Sequence, residues 1–160
     1  MESGVAEQHM QQERSLQPLS SRLGYMGLVP FVSLAAATFF APASLHDLAS
    51  QALLAYGATI LSFLGGIYWG LAIASPSARS AHLLLFLGVG VAPQLLGWAA
   101  LLVSGQTGFV LTATGLLALL VADRAAVNYG LAPAWFMGLR WPLSGAAAAS
   151  MLLGAFSSAL

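Results

Sequence analysis

The chain has no cysteine, no lysine and few charged residues of any kind. Without cysteine there is no disulfide bond, no thiolate catalysis and no cysteine-ligated metal site. Charged residues make up 6% of the 160 residues, whereas an ordinary soluble domain contains about 25%. So few charges cannot cover the surface of a water-soluble protein, but they suffice where lipid is the solvent. The composition therefore predicts an all-α, polytopic membrane protein.

Basic residues are scarce as well: the chain has five, and all of them are arginines. Five acidic residues balance them, so the formal net charge is zero. Nucleic-acid binding requires a clustered basic surface, so we expect no nucleic-acid partner. Residues 1–22 form the polar stretch "MESGVAEQHMQQERSLQPLSSR". This stretch lacks the basic start and short apolar core of a secretory signal peptide, and we expect it to be a disordered polar tail.

Five hydrophobic spans follow the tail, and each is close to the roughly 20 residues that a helix needs to cross a bilayer. Between the fourth and fifth spans, the stretch "VNYGLAPAWFMGLRWPLS" is rich in aromatic residues and proline, which predicts an irregular or interfacial segment. We therefore expect residues 23–160 to form a bundle of five transmembrane helices. The predicted spans are residues 24–41, 51–74, 81–103, 108–129 and 142–159.

The arginines fix the orientation of this bundle. Arg14 and Arg22 precede the first span, Arg79 follows the second, and Arg124 and Arg140 lie between the fourth and fifth. All five arginines then lie on one side of a five-span protein. Because arginine and lysine are enriched in cytoplasmic loops, we expect the N-terminus inside and the C-terminus outside.

Small residues recur at every fourth position of the second span: Ala58, Ser62, Gly66 and Gly70. Helices in lipid associate through close backbone approach, and stripes of small residues permit that approach. We interpret this stripe as a helix-packing surface, touched by another helix of the chain or of a neighbouring protein.

Asp123 and Arg124 are the most informative polar residues, because a fourth span long enough to cross the membrane must contain both. Charged groups inside a span are costly and usually face the bundle interior or a watery cavity. Together with Arg140 they form a candidate polar site at the inner side, and the mid-span Gln94 is the remaining candidate for this site. The alternative is structural: Asp123 pairs with an inner-side arginine, and Arg124 extends to the interface. The sequence leaves both interpretations open.

Motifs for catalysis are missing. There is no HExxH sequence, no pair of histidines at helical spacing and no nucleophile elbow. We therefore expect no catalytic residues, no metal site, no cofactor and no enzymatic activity.

Several segments together resemble a known family: "LGYMGLVPF" (23–31), "ALLAYGATILSFLGGIYWGLA" (52–72), "PQLLGWAALL" (93–102) and "PAWFMGLRWPLS" (133–144), with an aspartate at 123. The chain resembles the uncharacterised family of small multipass membrane proteins that includes transmembrane protein 69, which carries a domain of unknown function. The resemblance implies a multipass protein of the bacterial inner membrane, or of the mitochondrial inner membrane in a eukaryote. It implies no activity and no functional residues.

Three functional hypotheses follow. The first is a non-enzymatic scaffold or accessory subunit that packs through its small-residue helix faces. The second is a transporter or channel for a small solute or protons that uses the region of Asp123 and Arg124. The third is a membrane protein that binds a quinone or a porphyrin. The expected partners are the lipid bilayer and a second copy of the chain or a larger membrane complex.

Overall fold

The computed structural model describes residues 17–75 and 80–159. Within these residues the chain forms five long helices and no β-strand. The first helix contains a turn at Gly27, whose amide still donates to the Leu23 carbonyl oxygen at 3.0 Å. The helices are α1 (Gln17–Phe40), α2 (Ala43–Ile73), α3 (Ser80–Val103), α4 (Gly105–Asn128) and α5 (Trp135–Ser157).

Four of these helices, α1 to α4, are each long and apolar enough to cross a membrane. The fifth, α5, has 23 residues and is therefore about 34 Å long at 1.5 Å per residue. Length alone would allow it to cross as well. Its sequence is less apolar, because it contains Arg140, Pro142 and several serines.

The second helix, α2, is the centre of the bundle, because it contacts each of the other four helices. Around it, α1 packs against α5, α5 against α4, and α4 against α3. The Leu28–Phe40 part of α1 does not contact α3 within the described part of the chain. The four outer helices therefore form an arc that leaves one side of α2 uncovered.

The closest helix contact is the seam between α2 and α3. A Cβ atom added to Gly97 would lie 3.2 Å from the Cα atom of Ala58, and one added to Gly90 would lie 2.8 Å from the Gly65 carbonyl oxygen. The contact residues are seven positions apart on both helices. A seven-residue step changes the direction around a straight helix by only about 20°, so the same faces stay opposed along the seam.

Of the predicted small-residue stripe, Ala58 belongs to this seam, but Gly66 and Gly70 do not contact α3. A Cβ atom added to Gly66 or Gly70 would meet no described atom within 4 Å. Each four-residue step rotates about 40° around a helix with 3.6 residues per turn, so Gly70 lies far around the helix from Ala58. Within the chain the close approach is made by Gly65 instead, and Gly66 and Gly70 lie on the uncovered side of α2.

Several helices begin earlier than the hydrophobic spans suggest. Helix α2 begins at Ala43, directly after Pro42, so the expected loop at its start forms two helical turns. Helix α5 begins at Trp135 with Pro142 in its interior, and the irregular segment before it shrinks to residues 129–134. Proline lacks an amide proton, so the carbonyl one turn earlier, at Gly138, loses its helical partner. Of the expected tail, residues 17–22 belong to α1, and residues 1–16 lie outside the described residues.

Candidate functional site

An ion pair lies at the end of the bundle where α4 ends and α5 begins. The Nε atom of Arg140 donates to the Oδ2 atom of Asp123 at 2.7 Å. Asp123 is 1% exposed and Arg140 is 6% exposed. An isolated charge at such a position is strongly unfavourable, so each of the two side chains makes the burial of the other tolerable.

Tyr68 of α2 completes this cluster. Its hydroxyl donates to the Oδ1 atom of Asp123 at 2.7 Å and also lies 3.1 Å from the Leu119 carbonyl oxygen. A phenol carries one proton, and a charged acceptor forms the stronger hydrogen bond, so the carboxylate is the main acceptor. The cluster of Tyr68, Asp123 and Arg140 therefore ties α2, α4 and α5 together.

Aromatic rings cover the cluster on its α3 side. The ring of Tyr68 stacks on that of Phe86 with the centroids 5.9 Å apart, and Phe86 packs edge-on against Tyr129. The ring of His82 stacks on Tyr129 at 4.0 Å. Phe86 is fully buried against Tyr68, so an apolar ring replaces water on this side of the cluster, and a low local dielectric constant strengthens the electrostatic attraction of the ion pair.

The structure brings together only some of the residues that the sequence singled out. Of the arginines considered as partners for Asp123, Arg140 makes the contact, and Arg79 lies outside the described residues. Arg124 is exposed, because neighbouring residues point about 100° apart on a helix. Gln94 is also exposed, since its neighbour Pro93 takes the position that faces α2 near Gly65. The candidate polar site is thus reduced to Asp123 and Arg140, with Tyr68 added.

Sequence reasoning did not include Tyr68 in the candidate polar site and missed its buried hydrogen bond. The sequence spacing does indicate that Tyr68 is buried. Tyr68 lies three residues after Gly65 and seven after Leu61, which is fully buried. Residues that alternate in steps of three and four lie on one face of a helix. A seven-residue pattern would therefore have placed Tyr68 on the buried face of α2.

A pocket of about 410 Å³ lies beside the ion pair, between α1, α2 and α5. Its wall is mainly apolar and includes Gly27, Phe31, Ile60, Leu64, Leu143 and Ala147. Two other lining residues, Leu23 and Phe63, are 60% and 65% exposed. The pocket therefore opens through an apolar mouth towards the outside of the bundle.

Three lining residues of this pocket, all on α5, carry buried polar atoms without a hydrogen-bond partner in the described part of the chain. These atoms are Nη2 of Arg140, Nε1 of Trp135 and Oγ of Ser144. Buried polar atoms in proteins are nearly always paired. The three atoms are therefore available to a group that enters the pocket, and no sequence pattern points to them.

A second polar cluster lies at the opposite end of the bundle. Nε2 of His46 is 3.1 Å from Oγ of Ser157, and that hydroxyl donates to the Thr38 carbonyl oxygen at 2.7 Å. The hydroxyl proton is thus already used, so His46 donates to Ser157 and does not act as its base. A serine nucleophile needs the reverse arrangement. Among the described residues no group of three metal-binding side chains exists either.

The sequence profile of the family described as "Protein of unknown function (DUF3429)" matches residues 17–156. The chain belongs to this family. The matched region of this DUF3429 protein contains Tyr68, Asp123 and Arg140 as well as the lining of the pocket. The protein is an integral membrane protein with several membrane-spanning helices.

A curated relative is similar to most of the length of this chain. Transmembrane protein 69 of Xenopus tropicalis is 37% identical over 123 residues. The match covers 74% of this chain and 46% of the relative, so this chain spans less than half of the relative's length. No solved structure matches the chain.

Proposed function

We propose that the protein is a non-enzymatic membrane protein that holds an apolar molecule from the bilayer in the pocket between α1, α2 and α5. The observation that carries this proposal is the pocket itself: about 410 Å³ with an apolar wall and an apolar mouth. Ligand pockets typically have volumes of about 300–1,000 Å³ and mainly apolar walls with a few polar groups. This function corresponds to the third hypothesis from the sequence.

The test is to purify the full chain in a mild detergent and to identify co-purifying apolar molecules by mass spectrometry. Ala147 lines the pocket, so Ala147→Leu should fill it and reduce the bound molecule at least several-fold. Ala149→Leu is the matched control, because Ala149 is exposed on the same helix. The proposal fails if the wild type carries no such molecule, or if Ala147→Leu retains as much of it as Ala149→Leu.

We also propose the full topology: five spans, with α5 as the fifth, the N-terminus inside and the C-terminus outside. The membrane is the inner membrane of a bacterium, or the mitochondrial inner membrane in a eukaryote. Arg22, Arg124 and Arg140 support this orientation, because they lie where α1 begins, α4 ends and α5 begins, at one end of the bundle. Arginines are concentrated on the inner side.

The natural lack of cysteine makes this topology directly testable. Single cysteines at Ser104 and Ser158, both exposed, should react with a membrane-impermeant maleimide in intact cells. A cysteine at Asn128 should react only after the membrane is permeabilised. If α5 does not cross, the cysteine at Ser158 becomes inaccessible from outside, and the five-span topology fails.

Assembly through α2 is a second candidate function, as in the first hypothesis from the sequence. The uncovered side of α2 supports it, because Gly66 and Gly70 leave open space there for the close approach of another helix. Gly66→Cys should form cross-linked dimers with a short bis-maleimide in membranes. Val121→Cys, on an exposed position of α4, is the control. Equal cross-linking of both variants would show that no specific contact exists at Gly66.

A transport function has less support. The polar residues that would have to line a path include Arg124 and Gln94, and both are exposed on the outside of the bundle. Asp123 and Arg140 instead bind each other.

A further inference from the structure

The three unpaired atoms at the pocket define the chemistry that would satisfy them. Nη2 of Arg140 and Nε1 of Trp135 only donate hydrogen bonds, and the hydroxyl of Ser144 can donate one as well. Arg140 and Ser144 are four residues apart on α5 and therefore lie on the same face of that helix. A group that binds here must supply hydrogen-bond acceptors.

The hydroxyl of Ser144 differs from other hydroxyls in the bundle. Ser33, Ser62 and Ser150 each donate to the carbonyl oxygen four residues earlier, at 2.8, 3.2 and 3.0 Å. This bond is the usual solution for a serine inside a helix. Ser144 is equally helical but has no partner in the described part of the chain. Its hydroxyl thus remains available to a ligand.

The charge balance at the pocket limits the ligand further. The positive charge of Arg140 is already compensated by Asp123 at 2.7 Å. A second anion would leave the buried group with a net negative charge, and uncompensated buried charge is costly. A neutral acceptor, such as a carbonyl oxygen, accepts the free hydrogen bonds without adding charge.

We propose that the pocket binds a neutral amphiphile, with a carbonyl-type oxygen held at Arg140 and Ser144 and an apolar tail along α1 and α2. This inference rests on the proposed function and adds the identity of the head group. Trp135, the third donor, lies where the pocket meets the start of α5. The tail lies against Phe31, Ile60 and Leu64, whose surfaces are apolar.

The experiment compares four probes with apolar tails of similar length: methyl undecyl ketone, laurate, laurylamine and dodecane. Binding to the full chain in an ether-linked detergent is measured by the shift in its thermal unfolding. We expect the ketone to bind about fivefold or more tightly than dodecane, the effect of a single hydrogen bond. Laurate and laurylamine should bind more weakly than the ketone.

The variant Ser144→Ala should lower the preference for the ketone over dodecane by about threefold, because it removes one of the two donors that hold the oxygen and leaves Arg140 in place. Ser150→Ala is the matched control, since the hydroxyl of Ser150 already donates to Ala146. It should leave the difference between ketone and dodecane unchanged. Neither substitution touches the ion pair of Asp123 and Arg140.

The outcomes separate this inference from the function on which it rests. Tighter binding of laurate than of the ketone would contradict the inference that the bound head group is neutral. Equal binding of ketone and dodecane to the wild type would overturn the head-group contact. In both cases binding that Ala147→Leu abolishes would still support the apolar pocket. If no probe binds, the proposed function and this inference fail together.

Discussion

Gly65 and Gly66 are neighbours in the chain but lie in opposite environments. Gly65 lies on the backbone of α3 at Gly90, where there is no room for a side chain, whereas Gly66 faces open space. The same contrast extends along α2: its covered side holds Tyr68 and the fully buried Leu61, and its open side holds the exposed Phe63. A glycine in a membrane helix permits close contact, but the arrangement of neighbouring helices decides whether contact occurs.

The largest effect should come from removing the carboxylate of Asp123, which accepts a hydrogen bond from Tyr68 on the covered side of α2. Asp123→Ala leaves Arg140 buried without its partner, which costs about 3–5 kcal/mol of stability. The double variant Asp123→Ala with Arg140→Met should recover most of this loss, because no uncompensated charge remains. Thermal unfolding in detergent measures both. A double variant as unstable as the single one would show that the attachment of α2 depends on more than charge balance.

A moderate effect is expected when a side chain is placed in the seam between α2 and α3. Gly65→Leu forces the two backbones apart and should cost about 1–3 kcal/mol, the usual range for overpacking. The unfolding temperature in detergent provides the measurement, with Leu64→Ile as a volume-conserving control. Stability equal to that of the control would mean that α3 moves away from α2 without loss of packing.

The smallest effect is expected on the open side of α2. A Cβ atom at position 66 would meet no described atom within 4 Å. For Gly66→Leu, the stability of the isolated chain in detergent should therefore change by no more than about 0.5 kcal/mol, as for other surface positions. A loss as large as that of Gly65→Leu would remove the contrast between the two sides. If Gly66→Leu lowers dimer formation in membranes but not monomer stability, the open side is an assembly surface.

Much of the fold could be predicted from the sequence, because hydrophobic length alone indicates helices and their order. Asp123 could also be identified from the sequence, because hydrophobic length places its carboxylate inside an apolar span, where a charge requires a partner. The contact of Gly65 was missed because small residues at four-residue spacing are abundant in this chain, and the seam follows a seven-residue spacing. Trp135 and Ser144 could not be found at all. Their significance depends on hydrogen bonds that are not made, and an unmade bond leaves no pattern in a sequence.

The ion pair also has a consequence for the order in which the chain enters the bilayer. Asp123 meets Arg140 only 17 residues further along the chain, and chains grow at about 5–20 residues per second. For that interval α4 carries a carboxylate whose cationic partner has not yet been synthesised, and Tyr68 of the earlier α2 is the donor already present. With α5 as the proposed fifth span, insertion of α4 is more favourable together with α5, so we expect these two helices to enter the membrane as a hairpin against a preformed α2.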